Sequence, residues 1–201
     1  MRNALALLLF STTAAIAADN VKVAVCNLGE IEDWHLKNAE REAAYVFQAA
    51  DIHIHWTGCA DVGAPDPRLR PNLIVRLRRD GHIAKVGPVS LDSMGRAFID
   101  RAGYGFFVDT YYGAIQDLAL LWPLAASDQV LGYVIVHELG HLMLGPGHHP
   151  RGIMRATWGR EELQAIRQRH LKFDREERAA LSRRLPCYTA SPSPRPQKSP
   201  P

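Results

Sequence analysis

The run from Asp128 to Leu144 constrains this chain more than any other. Val130, Leu131, Val134, Ile135, Val136, Leu139, Leu142, Met143 and Leu144 make it strongly apolar, and its length reads as a helix rather than a strand. Inside it stand His137, Glu138 and His141. Buried polar and charged groups cost free energy unless they are partnered, so this helix cannot be plain core. A mixed αβ half precedes it and a mostly helical half follows. The helix therefore lies between the two, where a cleft can form.

The preceding half alternates in period. Val21 to Val25 reads as a strand; Leu36, Ala39, Ala43, Val46, Phe47 and Ala50 mark one face of a helix over Asp33 to Ala50; Ile52, Ile54 and Trp56 mark a second strand. Strand, helix and strand in that order predict a parallel crossover. Asn72 to Arg78 reads as a further strand, and Gly95 to Asp100 with Gly105 to Asp109 as two short strands around a turn. Gly113 to Trp122 reads as a helix stopped by Pro123. Downstream, helices are expected over about Arg160 to Gln168 and Asp174 to Leu185, the second with Asp174 and Glu177 as a capping box.

Histidines four residues apart share one helical face, so the imidazoles of His137 and His141 can reach one metal ion. Glu138 projects to the side, where it can take a proton from an attacking water. With nine His and nine Glu in 201 residues, chance places His-Glu-x-x-His in a chain like this about 0.02 times. Context therefore has to carry the reading. Gly145-Pro146-Gly147 ends the helix and turns the chain, and His148 and His149 follow. Three protein ligands with one open position is the composition of a catalytic zinc site, whereas structural zinc sites are closed by four. His148 completes such a set. His149 is an alternative third ligand, as is Glu161, whose spacing after His141 resembles that of a different zinc-peptidase class. Zinc makes hydroxide available near neutrality, and Glu138 is the expected general base.

His137-Glu138-x-x-His141, a glycine turn, a third His and Met154 in Gly152-Ile153-Met154 resemble the metzincin metallopeptidases. The compact spacing is most similar to the archaemetzincin-like branch in a short secreted form. The family pattern is HExxHxxGxxH; here the glycine and the third His each fall one residue later. The cysteines that follow the third His in archaemetzincins are absent, so a second, structural zinc is not implied. The resemblance implies an α+β metzincin-like fold with a mixed twisted sheet, packed helices, a central zinc-binding helix and a smaller, mostly helical C-terminal half. It also implies one Zn2+ on His137, His141 and His148, and Met154 as an apolar floor under the metal. The expected activity is hydrolysis of peptide or protein substrates, with Glu138 as general base and a strand edge near Phe98 or Phe107 aligning the peptide. The alternatives are a non-catalytic zinc-binding protein and a zinc amidase or deacylase acting on a non-protein substrate.

The rest bounds the setting. Arg2, an apolar run from Ala4 to Phe10 and the small residues Ala15 and Ala17 read as a signal peptide over residues 1–17. A folded domain over 18–188 and a disordered Pro-rich tail over 189–201, with five of the thirteen prolines, complete the organisation. Export to a secreted or periplasmic setting as a monomer is expected, without membrane attachment after cleavage. A net charge of +3, +2 without Arg2, is too weak to point to nucleic acid. Cys26 and Cys59 follow two strand-like runs that can be neighbours, which favours that disulfide; three unpaired cysteines, Cys187 included, are the alternative. His53 and His55 read as solvent-facing, His35, His82 and His170 as surface residues, and Tyr111 and Tyr112 as core rather than oxyanion donors.

Overall fold

The computed structural model describes residues 20–64, 66, 71–84, 87–101, 103–147 and 151–189. The signal peptide, the third-ligand candidates His148 and His149, and all of the tail except Thr189 lie outside the described residues. No described helix is long and apolar enough to cross a membrane.

The crossover expected at the start is present. Strand β1 (Asn20–Asn27), helix α1 (Asp33–Gln48) and strand β2 (His53–Gly58) follow in order, and β1 and β2 pair in parallel. Strands β3 (Leu73–Arg78), β4 (Val89–Ser90), β5 (Gly95–Phe98) and β6 (Phe107–Tyr111) come next. The main sheet has the order β2-β1-β3-β6-β5, parallel throughout except for β5, which runs antiparallel to β6 at one edge. This corrects one expectation. Phe107 lies on an inner strand; among the described residues β5, with Phe98, is the edge strand beside α3.

Val21, Val23 and Val25 of β1, Leu73, Val75 and Leu77 of β3 and Val108 of β6 are buried. Their spacing of two puts them on one face of the sheet. Helices α2 (Tyr112–Leu121) and α3 (Ser127–Leu144) follow. Nearly every side chain of α3 from Val130 to Met143 is buried, because α3 packs against α1 on one side and against β5 and β6 on another. The approach of α3 to α1 is close enough to need glycine: a Cβ at Gly132 would fall 2.6 Å from the Ala39 carbonyl oxygen.

Strand β7 (Thr157–Trp158) pairs with β4 in a two-residue ladder that the sequence reading did not contain. Helices α4 (Arg160–Arg167), α5 (Arg175–Arg184) and the short α6 (Pro186–Thr189) close the fold. The Asp174–Glu177 capping box forms as expected: Asp174 accepts from the Glu177 N–H at 2.8 Å, and Glu177 accepts from the Asp174 N–H at 2.7 Å. Cys26 and Cys59 form a disulfide, with Cα atoms 4.6 Å apart at the paired ends of β1 and β2. Cys187 is exposed and unpaired.

Candidate metal centre

The site is built on the second half of α3. His137 and His141, one turn apart, bring their Nε2 atoms to 3.0 Å from each other. Both residues are buried. The Nδ1 of His137 donates to the Ile153 carbonyl at 2.7 Å, which leaves Nε2 as the ring nitrogen that faces His141. Two nitrogens each bound to one zinc at about 2.0–2.1 Å stand about 3.3 Å apart at a tetrahedral angle. The donor set and its spacing therefore fit a shared cation. Trp158 backs the pair, its ring edge-on to His137 with centroids 5.9 Å apart, and the β4–β7 ladder holds it there.

The turn at 152–154 lies beneath the helix. Met154 is buried, and a Cβ at Gly140 would sit 2.6 Å from its sulfur. Gly140 thus lets Met154 reach the helix backbone between the two histidines.

Glu138 faces the edge strand. A Cβ at Gly95 would fall 2.6 Å from the Glu138 carboxylate oxygen Oε1, so the first residue of β5 has to be glycine for the carboxylate to lie where it does. Burial pushes the Glu138 carboxyl up to about 8, and the charge of Asp92 adds to this; the Ala97 N–H bonded to it and the charge of Arg96 act the other way. Glu138 and His141 open into a cleft of about 300 Å³ whose walls include Arg96, Ala97 and Ile99 on one side and Pro146 and Gly147 on the other. The second wall is a turn that only glycine makes without strain, with φ +99° at Gly145 and +117° at Gly147.

Among the described residues, no third His, Cys, Asp or Glu joins His137 and His141 in a metal-binding group. Glu161 is exposed at the start of α4 and lines a separate cavity with Pro88 and Trp122. The structure does not bring it to the histidines. His53, His55, His82 and His170 are exposed as expected, and Tyr112 is core. His35 departs from its surface reading. It is half-buried, stacked on Trp34 with ring centroids 3.5 Å apart, and its Nδ1 is shut off from solvent.

The sequence reading missed Gly95, the Ala97 N–H, the Ile153 carbonyl and Trp158. Only Gly95 left a signal, since a glycine inside a strand pattern marks a close approach.

No protein-family model matches the sequence, and no curated protein matches it. Among solved structures, the fold is similar to that of an archaemetzincin from Methanopyrus kandleri, at 14% identity and a TM-score of 0.53, over 85% of this chain and 98% of that one. The architecture is metzincin-like. A structure of myroilysin aligns over 65% of this chain and 50% of its own, at 12% identity and a TM-score of 0.35. At 14% identity the archaemetzincin likeness is one of fold alone.

Proposed function

We propose that this chain is an exported, zinc-dependent metallopeptidase that hydrolyses bonds within peptide or protein substrates and works as a monomer. One observation carries the reading. The His141 imidazole and the Glu138 carboxylate line one open cleft, and the fully buried His137 imidazole meets His141 at 3.0 Å. A merely structural pair of histidines would need neither the cleft nor the carboxylate.

His137, His141 and His148 would hold one zinc ion, which supplies Lewis acidity to the scissile carbonyl and the attacking water. The Ile153 carbonyl fixes the tautomer and orientation of His137. An extended substrate runs along the outer edge of β5 by backbone pairing, at groups other than the Ala97 N–H, which Glu138 already holds, and past Ala97 and Ile99. Glu138, when ionised, takes a proton from the attacking water onto its carboxylate and later delivers it to the leaving amine; its pKa, raised to about 8, puts that ionised form on the alkaline side of neutrality. Its burial against β5 keeps the carboxylate from swinging away. The Cys26–Cys59 disulfide and the leader-like N-terminus support an oxidising, extracytoplasmic setting.

Hydrolysis of a broad peptide library, with and without chelator, tests the reading. Wild type cleaves and chelator stops it. Glu138→Ala keeps its zinc and its fold but loses activity by about 10²–10⁴-fold, the usual contribution of a general base. An active Glu138→Ala protein contradicts the assigned role. A wild type that binds stoichiometric zinc and cleaves nothing is a binding protein instead, and one that cleaves only non-peptide amides is an amidase or deacylase.

A further inference from the structure

The last turn of a helix leaves carbonyls without intrahelical donors. At the end of α3 two of these are taken by side chains of the C-terminal helices. Tyr188 donates its hydroxyl to the Leu142 carbonyl, and Arg184 donates Nη1 to the Leu144 carbonyl at 2.9 Å. Arg184 does more than cap. Its Nη2 donates to the Gly103 carbonyl at 2.8 Å, at the tip of the hairpin between β5 and β6, and its guanidinium lies over the Tyr104 ring at 5.1 Å. A planar fork of donors reaches two carbonyls at once, which an ammonium on a single stem does less well. Room for it comes from Gly145, where a Cβ would fall 2.8 Å from Nη1.

Neither carbonyl lines the cleft, but each belongs to a segment that supplies one of its walls. Gly103 tops the hairpin that supplies Ile99, and Leu144 leads into the turn that supplies Pro146 and Gly147. Arg184 does not line the cleft itself. We infer that Arg184 is a positioning residue that sets the separation of these walls, and with it the fit of an extended substrate. The inference rests on the peptidase reading for its effect on substrate, and on the bridge alone for its effect on the walls.

The test compares wild type, Arg184→Lys and Arg184→Met in the full chain. With the peptide library, Arg184→Met raises KM about tenfold while kcat stays within about twofold, because binding in the cleft loosens and the proton transfer does not. Arg184→Lys, able to hold one carbonyl firmly, falls between. In parallel, hydrogen exchange is read at the Gly145 N–H, bonded to the His141 carbonyl at 2.9 Å, and at the Asp100 N–H, bonded to the Tyr104 carbonyl at 2.8 Å. Both exchange roughly tenfold faster in Arg184→Met, with or without zinc, and the amides of β1 do not change. Unchanged exchange at both sites overturns the inference. So does exchange that rises throughout the chain as kcat and melting temperature fall together, because Arg184 is then a general stabiliser. If wild type cleaves no peptide, the peptidase reading fails and the exchange result alone judges the bridge.

Discussion

Gly132 and Gly140 stand about two turns apart on the same buried helix, and their surroundings divide α3 into two unlike halves. At Gly132 the neighbours are backbone and one Cβ fixed to it: an added Cβ would meet the Ala39 carbonyl oxygen at 2.6 Å, the Glu42 Cβ at 2.8 Å and the Ala43 nitrogen at 3.2 Å. At Gly140 the neighbour is the end of a flexible side chain, the Met154 sulfur at 2.6 Å and its methyl at 3.1 Å. At the contact with α1, the first half is fitted by shape at Gly132 and joined by one side-chain hydrogen bond, from Asn38 to Asp128 at 2.6 Å. The second half, which carries His137, Glu138 and His141, is held by polar contacts from elsewhere in the chain: the Ile153 carbonyl, Arg184 and Tyr188. The framework half tolerates no added atom at its contact. The site half is adjustable packing around fixed hydrogen bonds.

Four variants sharpen or break that division. Loss of the Cys26–Cys59 bridge, which lies in the framework and closes a span of 33 residues, costs about 3–4 kcal/mol of stability by the loop-closure account. Urea denaturation of Cys26→Ser/Cys59→Ser checks it, and kcat of the folded fraction stays the same. Gly132→Ala comes next. The clash with α1 outweighs the gain of about 1 kcal/mol in helix propensity and leaves a net loss of about 2 kcal/mol. Calorimetry reads that loss, again with catalysis per folded molecule unaltered.

Gly95→Ala inverts the pattern. The added methyl displaces the Glu138 carboxylate, so kcat falls about 10–100-fold while zinc content and melting temperature hold, since a mispositioned base loses most of its advantage. Steady-state kinetics beside metal analysis separates the two readouts. Gly140→Ala has the smallest effect. Met154 can move aside and the helix gains in propensity, so stability changes by less than about 1 kcal/mol, and denaturant unfolding measures it. If Gly140→Ala costs more than Gly132→Ala, the distinction between backbone and side-chain contacts is wrong.

The regular elements were legible because their periods are clean. The two-residue alternation of Leu73, Val75 and Leu77 gave β3, and the helical spacing of Leu36, Ala39 and Ala43 gave α1. The pairing of His137 with His141 was legible for the same reason, since both histidines and the helix that aligns them lie within one short stretch of sequence. What was not legible depends on which element meets which. Nothing local tells that β6 is inner and β5 outer, so Phe107 was read as a possible edge. The two residues of β7 are too few to show a period, although they place Trp158 behind His137. Arg184 reads as one more solvated cation in a basic helix; its two carbonyl partners lie 40 and 81 residues away. The bland reading of His35 failed similarly, because Trp34 folds over it.

The central claim is that His137 and His141, the second of which lines the cleft, share one zinc ion with a coordination position left open. A crystal structure of the purified protein, with anomalous scattering recorded at the zinc edge, tests it directly. The account predicts a single peak within bonding distance of Nε2 of His137, Nε2 of His141 and the ring of His148, with no fourth protein ligand. A folded protein without a bound divalent ion, or an ion held away from the His137–His141 pair, would contradict it.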